Sequence, residues 1–204
     1  MSSSTSRIGA LCGVLAGLLT AVPGLVEAFT GETSATGVPL AFAPAVALPL
    51  LIALHQRQDA AAGSLGRIAI ALNLTGLGLF GGAAFASNLV LFHFDEHLVD
   101  ETLAGSPTVP VFLASATVFA AGCALFGTAM IRARVFPRLP SWSYAVVLPL
   151  FAFLTAFPES LLTSSLHVVV GVVLIRLSVA LWGMGDGEAA TSPVKSALAK
   201  SPQG

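Results

Sequence analysis

Long uncharged stretches are the feature that most limits how this chain can fold. Residues 8–26, 33–56, 68–94, 102–131 and 139–158 contain no Asp, Glu, Lys or Arg. A helix needs about 20 apolar residues to cross the hydrocarbon core of a bilayer. The composition agrees, because 55% of the residues are hydrophobic and 9% are charged, whereas soluble proteins average about 25% charged. The chain is therefore predicted to be a membrane protein, and a soluble enzyme or a nucleic-acid binder is disfavoured.

The apolar stretches predict an all-α, polytopic transmembrane helix bundle of six spans joined by short loops. The six spans are residues 8–26, 38–54, 68–92, 109–131, 139–157 and 161–182. Residues 1–6 are predicted to be a flexible N-terminus, and residues 7–183 form the transmembrane domain. Residues 184–204 are rich in Gly, Ala, Ser, Pro and Lys without apolar periodicity, which predicts a disordered cytoplasmic tail.

The basic residues predict the orientation of the bundle. With a cytoplasmic N-terminus, eight of the 9 Lys and Arg residues fall on the cytoplasmic side: Arg7, Arg57, Arg67, Arg132, Arg134, Arg138, Lys195 and Lys200. The ninth, Arg176, is close enough to the end of span six to extend to the same face. This distribution follows the positive-inside rule. Both termini are therefore predicted to be cytoplasmic, in a plasma membrane.

The start of the chain allows a second interpretation. Val26-Glu27-Ala28 follows an apolar segment and matches the small-x-small pattern of a signal-peptidase site. Cleavage there would remove residues 1–28 and leave five spans. The remaining charge pattern is the same in both cases, so the sequence leaves this alternative open.

The outer end of span three carries the strongest metal-ligand pattern in the chain. His93-Phe94-Asp95-Glu96-His97 matches the H-x-x-E-H motif of inverted zincins. If the helix continues, His93 and His97 share a face at i and i+4, with Glu96 beside them, and the two imidazoles could bind a divalent metal. The alternative is a solvated acidic cap at the membrane interface.

A fourth candidate ligand, His167, is predicted about two turns inside the outer end of span six. Ionisable groups at that depth usually face protein or a water-filled cavity. His167 could meet His93 or His97, and such a pair could carry protons, bind metal or ligate a haem b. The alternative is a neutral imidazole bonded to a neighbouring hydroxyl. Glu27 is a further candidate for a proton-coupled carboxylate, at a position where solvent is expected to reach it.

Two Gly-x-x-x-Gly segments predict close helix packing. Gly13 and Gly17 lie in span one, and Gly78 and Gly82 lie in span three. Small residues at this spacing let a second backbone approach closely. The two faces are predicted to contact other helices, either within the monomer, in a homo-oligomer or in a membrane partner.

The predicted cytoplasmic surface has its own basic cluster. Arg132, Arg134 and Arg138 are expected to set topology and could attract anionic lipid headgroups. Trp142, Tyr144 and Trp182 are predicted to be amphipathic anchors at this interface. Cys12 and Cys123 both lie in apolar runs, so a disulfide framework is not expected.

Two segments of the chain carry a family resemblance. Residues 121–127 read Ala-Gly-Cys-Ala-Leu-Phe-Gly, and residues 132–142 read Arg-Ala-Arg-Val-Phe-Pro-Arg-Leu-Pro-Ser-Trp. Here the sequence resembles small multi-pass integral membrane proteins of unknown function from high-GC Gram-positive bacteria. The likeness covers mainly residues 111–150. It implies a location in the bacterial plasma membrane and supplies no catalytic residues.

Three functional hypotheses are consistent with the sequence. The first is a non-enzymatic structural or accessory membrane subunit without a cofactor. The second is a small transporter with a polar path past Asn73, Asn88 and His167. The third is a metal- or haem-binding membrane protein that uses His93, His97 and His167. The first is preferred because no charged group is predicted deep in the bundle, where a coupled transporter would normally place one.

Overall fold

A computed structural model describes residues 3–155 and 160–199. Every regular element in these residues is a helix, which confirms the all-α prediction. The α-helices are α1 (Ser3–Thr30), α2 (Ser34–Leu89), α3 (Glu96–Ala104), α4 (Thr108–Ala133), α5 (Arg138–Leu154) and α6 (Leu161–Ala199), and a 3-10 turn (Leu91–His93) precedes α3.

The long helix α2 is folded into a hairpin at Gly63. Gly63 has φ 58° and ψ −143°, a conformation essentially restricted to glycine. Residues 34–62 form the first arm of α2 and residues 64–89 form the second arm. The arms run antiparallel, because Phe42 of the first arm packs edge-on against Phe85 of the second with 5.9 Å between ring centroids. Spans two and three are thus joined by one non-helical residue instead of a loop.

Local sequence explains where the first arm of α2 begins and why it stays helical as far as Gly63. The first arm begins at a capping box, in which the backbone N–H of Thr36 donates to the Thr33 hydroxyl and that of Thr33 donates to the Thr36 hydroxyl. Near Gly63 the chain reads Gln-Asp-Ala-Ala-Ala, and alanine has the highest helix propensity. The helix therefore continues through the segment that was predicted to connect the two spans.

Each helix contacts its neighbour in the chain order, and the arrangement closes on itself. α1 packs against α6 and against the first arm of α2, the second arm of α2 packs against α4, α4 against α5, and α5 against α6. The core is formed by side chains that are almost fully buried, among them Leu50, Leu54, Phe126, Met130, Leu177 and Leu181. Large apolar side chains are also exposed on the outside of every long helix, as expected for a surface that faces lipid.

Because neighbouring helices are antiparallel, the charged residues separate to two ends. The basic end carries Arg7, Arg57, Arg67, Arg132, Arg134 and Arg138. The acidic end carries Glu27, Glu32, Asp95, Asp100 and Glu101. At the basic end the Arg7 guanidinium lies 5.7 Å from the ring centroid of Trp182, so the start of α1 and the middle of α6 meet there. Asp59 is an acid at the basic end, and its Oδ1 is 3.6 Å from Nε2 of His55.

Four helical segments among the described residues are long and apolar enough to cross a membrane: 4–30, 34–93, 108–133 and 161–185. The second of these contains both arms of α2, and α5 is apolar but has only 17 residues. These lengths are compatible with a membrane location. The predicted number of six spans exceeds these four segments, because it counts the two arms of α2 separately and includes α5.

The predicted termini differ in extent from the helices. α1 begins at Ser3 and α6 extends to Ala199, beyond the predicted ends of spans one and six at residues 8 and 182. The flexibility predicted for residues 1–6 and 184–204 stays a prediction. Residues 1–2, 156–159 and 200–204, which include Glu159 and Lys200, lie outside the described part of the chain.

Candidate functional site

The outer histidines do not share a helix face, because the chain changes direction between them. His93 ends the 3-10 turn, and Phe94 is extended with ψ 157°. Asp95 then begins a new helix by accepting a hydrogen bond from the backbone N–H of His97 at 3.0 Å. The helix does not continue from His93 to His97, so the condition for an i, i+4 pair is not met. Both imidazoles are exposed, and the side chain of Glu96 lies outside the described part of the structure.

His167 lies in a different place, on the contact between α6, α5 and α1. Its Nδ1 is 2.9 Å from the carbonyl oxygen of Thr163, one turn earlier in α6. Its ring packs edge-on against Phe151 of α5 at 4.9 Å, and its Cβ lies against Gly24 of α1. The half-buried His167 is thus fixed by three helices of the bundle.

Of the four predicted ligands, the three described side chains, those of His93, His97 and His167, are not brought together as one metal centre. Within the described residues there is no group of three or more His, Cys, Asp or Glu side chains arranged to hold a metal ion. The haem b or divalent-metal alternative stays a prediction.

The acidic end of the α1–α6 contact contains a buried carboxylate. Glu27 is only 5% exposed, so the expectation that solvent reaches it is wrong. Gly24, one turn earlier on α1, lies against His167, and the nearby Thr163 and Ser164 of α6 are also buried. The contact between α1 and α6 therefore contains two ionisable groups, the carboxylate of Glu27 on α1 and the imidazole of His167 on α6.

The most connected polar cluster was not predicted as a unit. Nδ2 of Asn73 donates to the Tyr144 hydroxyl at 2.8 Å, and Sγ of Cys123 is 3.4 Å from Oδ1 of Asn73 and 3.9 Å from the Tyr144 oxygen. The cluster joins the second arm of α2, α4 and α5. Tyr144 is 4% exposed, so its predicted role as an interfacial anchor is wrong. An Asn inside a predicted apolar span was the available signal, but the sequence does not say which residue it meets.

The remaining polar residues of the predicted transport path are bonded locally. Nδ2 of Asn88 donates to the carbonyl oxygen of Ala84 at 2.8 Å. Asn88, Asn73 and His167 therefore engage three different sets of partners. Gln58 is fully buried like Asn73, but its amide has no hydrogen-bond partner among the described residues.

The two Gly-x-x-x-Gly faces have opposite surroundings. A Cβ placed on Gly13 would lie 2.6 Å from Cδ2 of Leu50, and one on Gly17 would lie 2.7 Å from the carbonyl oxygen of Gly171. This face is therefore filled by α6 and the first arm of α2. Among the described residues, a Cβ on Gly78 or Gly82 would meet nothing within 4 Å. The second face is open, and both glycines are exposed.

The open face is continuous along the second arm of α2. It is formed by Ala71, Thr75, Gly78 and Gly82, which recur at helical spacing and are all exposed. It ends beside Phe85, which is 44% exposed. No protein-family model matches this chain, and no curated protein or solved structure is significantly similar to it.

Proposed function

We propose that this protein is a non-enzymatic structural or accessory subunit of a bacterial plasma membrane. In this proposal it crosses the bilayer six times, with the two arms of α2 as separate spans and α5 as the fifth. The basic end faces the cytoplasm together with both termini, in accordance with the positive-inside rule. The 17 residues of α5 would extend about 25 Å at 1.5 Å per residue, close to the thickness of the hydrocarbon core.

The observation that carries the proposal is the closed Asn73–Cys123–Tyr144 cluster. Its polar atoms bond to one another across three helices and are fully or almost fully buried. Interhelical hydrogen bonds of this kind stabilise packing in a bilayer. A transport path would instead present such groups to a water-filled cavity. The polar centre of the bundle therefore favours a structural role.

The open face on the second arm of α2 supports the role of a subunit. Gly13 and Gly17 use their small size inside the monomer, whereas Gly78 and Gly82 have no neighbour that uses theirs. In the proposed assembly, a helix of another membrane chain or of a second copy packs on Ala71, Thr75, Gly78 and Gly82. Close backbone approach at small residues would provide the van der Waals contact.

The test is the size of the complex in mild detergent. The wild-type protein is expected to migrate as an assembly, and Gly78→Leu/Gly82→Leu is expected to release the folded monomer. Ala121→Leu is the matched control, because Ala121 is also exposed in the middle of a long helix, α4. A monomeric wild type, or an assembly that survives the double substitution, would contradict the proposal.

A proton-coupled carrier is the second candidate, and the burial of Glu27 favours it. A buried carboxylate and a half-buried histidine at the same helix contact are the kind of groups that carry protons in transporters. Under this hypothesis, His167→Ala abolishes substrate uptake driven by a pH gradient and leaves the complex intact. Thr117→Ala is the control, because Thr117 is exposed on α4, bonds to the carbonyl oxygen of Leu113 in its own helix and lies outside the predicted path. Equal uptake by both variants would exclude the carrier.

A further inference from the structure

Three arginines at the basic end line one shallow, open depression of the surface. The site has a volume of about 580 Å³ and is lined by Ile131, Arg132, Arg134, Arg138 and Trp142. It lies where α4 ends and α5 begins. We call it the arginine pocket.

The connection between α4 and α5 fixes the backbone of this pocket. Arg134 ends α4 in the left-handed conformation, with φ 54°, and its N–H donates to the carbonyl oxygen of Met130 at 3.1 Å. Phe136 is buried, and the hydroxyl of Ser141 donates to the carbonyl oxygen of Pro137 at 2.9 Å. Glycine is the usual residue at such a helix end. An arginine there costs conformational free energy, which points to a use for its side chain.

The pocket presents unneutralised positive charge. Arg132, Arg134 and Arg138 are all exposed, and no acidic side chain in the described part of the chain forms an ion pair with them. The planar guanidinium group donates two parallel hydrogen bonds to a phosphate. Three such groups along one depression would suit a phosphate monoester or diester.

An exposed apolar face extends from this pocket along α5. Leu139, Trp142, Val146 and Leu150 are 50% to 71% exposed, and their spacing of three and four residues places them on one side of the helix. Trp142 belongs to both features, since it lines the pocket and begins the apolar face. In a bundle that crosses the bilayer, a phosphate at the arginines would lie at the level of the lipid headgroups, with this face beside the acyl chains.

We propose that the arginine pocket binds the phosphate headgroup of an anionic phospholipid whose acyl chains lie along the exposed face of α5. Charge complementarity selects an anionic headgroup, and the adjoining apolar face selects a lipid over a soluble phosphate. This inference goes beyond the proposed accessory role, because it concerns a different surface from the open face on α2.

The experiment measures lipid retention by the full-length protein. The protein is exchanged into detergent containing phosphatidylglycerol or phosphatidylcholine, and bound lipid is counted by native mass spectrometry across a lipid titration. The wild type is expected to retain phosphatidylglycerol at lower lipid concentrations than phosphatidylcholine. Arg138→Gln is expected to weaken phosphatidylglycerol retention about fivefold, the effect of one basic residue near an anionic lipid surface. Equal retention of both lipids by the wild type would overturn the proposal.

Two further variants separate a specific pocket from charge or folding. Arg67→Gln is the matched control, because Arg67 is an exposed arginine at the same end of the bundle and outside the pocket. It is expected to retain lipid like the wild type, and an equal loss would show a diffuse surface effect. Arg134→Gly is expected to lose about fivefold in retention with no loss of thermal stability, since glycine accepts the left-handed conformation. Unchanged retention by Arg134→Gly would overturn the proposal.

A competition arm distinguishes the source of the phosphate. Inorganic phosphate at the same concentration as the lipid is expected to leave phosphatidylglycerol bound, because the free anion makes no contact with α5. Displacement at that concentration would show a site for a soluble phosphate and contradict the lipid assignment. The complex size measured with Gly78→Leu/Gly82→Leu is independent of these results, so failure of one proposal does not imply failure of the other.

Discussion

The Gly13/Gly17 face of α1 and the Gly78/Gly82 face of α2 have the same sequence pattern and opposite surroundings. The first lies under α6 and the first arm of α2, with backbone and side-chain atoms closer than any added Cβ would allow. The second lies in the open. A small-xxx-small pattern therefore indicates that a helix can pack closely, but it does not identify the partner helix. That information comes from the hairpin at Gly63, which turns one side of the second arm towards α4 and leaves the other side free.

The largest expected difference between the two faces comes from adding a bulky side chain. Gly17→Leu would force its side chain into Ile175 and the backbone of Gly171, and overpacking of this kind costs about 3 kcal/mol or more. Gly82→Leu is expected to cause no loss of monomer stability, because a side chain at this position meets open space. Thermal unfolding in detergent measures both. Similar melting temperatures for the two variants would contradict the assignment of one filled face and one open face.

Gly63 has open space around it, like Gly78 and Gly82, but its backbone conformation does not tolerate another residue. Nothing lies within 4 Å of a Cβ at this position, but its φ of 58° strains any other residue. Gly63→Ala is expected to destabilise the protein by about 1–3 kcal/mol. Gly78→Ala is the control, since Gly78 is equally open and has no positive φ. If Gly63→Ala matched its control in thermal unfolding, the single-residue hairpin would be incorrect.

The buried amide of Gln58 is expected to destabilise the packed interior. Its two polar atoms are buried without a hydrogen-bond partner in the described residues, and an unsatisfied buried polar group costs about 1–3 kcal/mol. Gln58→Met keeps a similar shape and removes that cost, so the melting temperature is expected to rise. A fall would mean that the amide is hydrogen-bonded in the purified protein.

The inner side of the second arm of α2 carries the Asn73 cluster. Substitutions in this cluster are expected to lower the unfolding free energy, whereas substitutions on the outer side are not. Tyr144→Phe removes the acceptor for Nδ2 of Asn73, and interhelical hydrogen bonds in membranes contribute about 0.5–1.5 kcal/mol. We expect a loss of that size in unfolding free energy. Thr75→Val, on the exposed side of the same arm, is expected to be neutral. Equal effects would show that the cluster does not stabilise the bundle.

The smallest expected effect is a gain at the open face. Gly82→Ala adds only a methyl group in open space, and alanine is favoured over glycine within a helix by about 0.5–1 kcal/mol. The isolated monomer should therefore become slightly more stable. A measured destabilisation would indicate that another helix already occupies this face in the purified protein.

The sequence predicted the helical class and the location of the apolar segments because hydropathy and length act locally. The helix α4 at Thr108–Ala133 contains the predicted span 109–131 almost residue for residue. Local patterns failed where a distant residue decides the outcome. Asp95 ended the expected His93–His97 helix face by capping a new helix, and Tyr144 turned inward because Asn73 and Cys123 lie 71 and 21 residues away in the chain but next to it in space.

The burial of Glu27 and the filling of the Gly13/Gly17 face have the same origin. Both involve contacts that distant residues make with α1: Leu50 and Gly171 at the glycine face, and His167 at Gly24, one turn before Glu27. The arginine pocket is an intermediate case. The basic cluster was visible in the sequence, whereas its concave shape depends on the left-handed conformation of Arg134 and the buried Phe136.

The most direct test of the account is the sidedness of the two ends of the bundle. Single cysteines are placed at the exposed positions Ser34, Ser64, Gly105 and Gly183 in a Cys12→Ser background, where the buried Cys123 is retained. An impermeant thiol reagent applied to intact cells is expected to label residues 34 and 105, and to label residues 64 and 183 only after the membrane is permeabilised. Labelling of both residue 34 and residue 64 in intact cells would show that the first arm of α2 does not cross the bilayer, and would contradict the six-span bundle. Labelling of residue 64 without residue 34 would contradict the cytoplasmic orientation of the basic end.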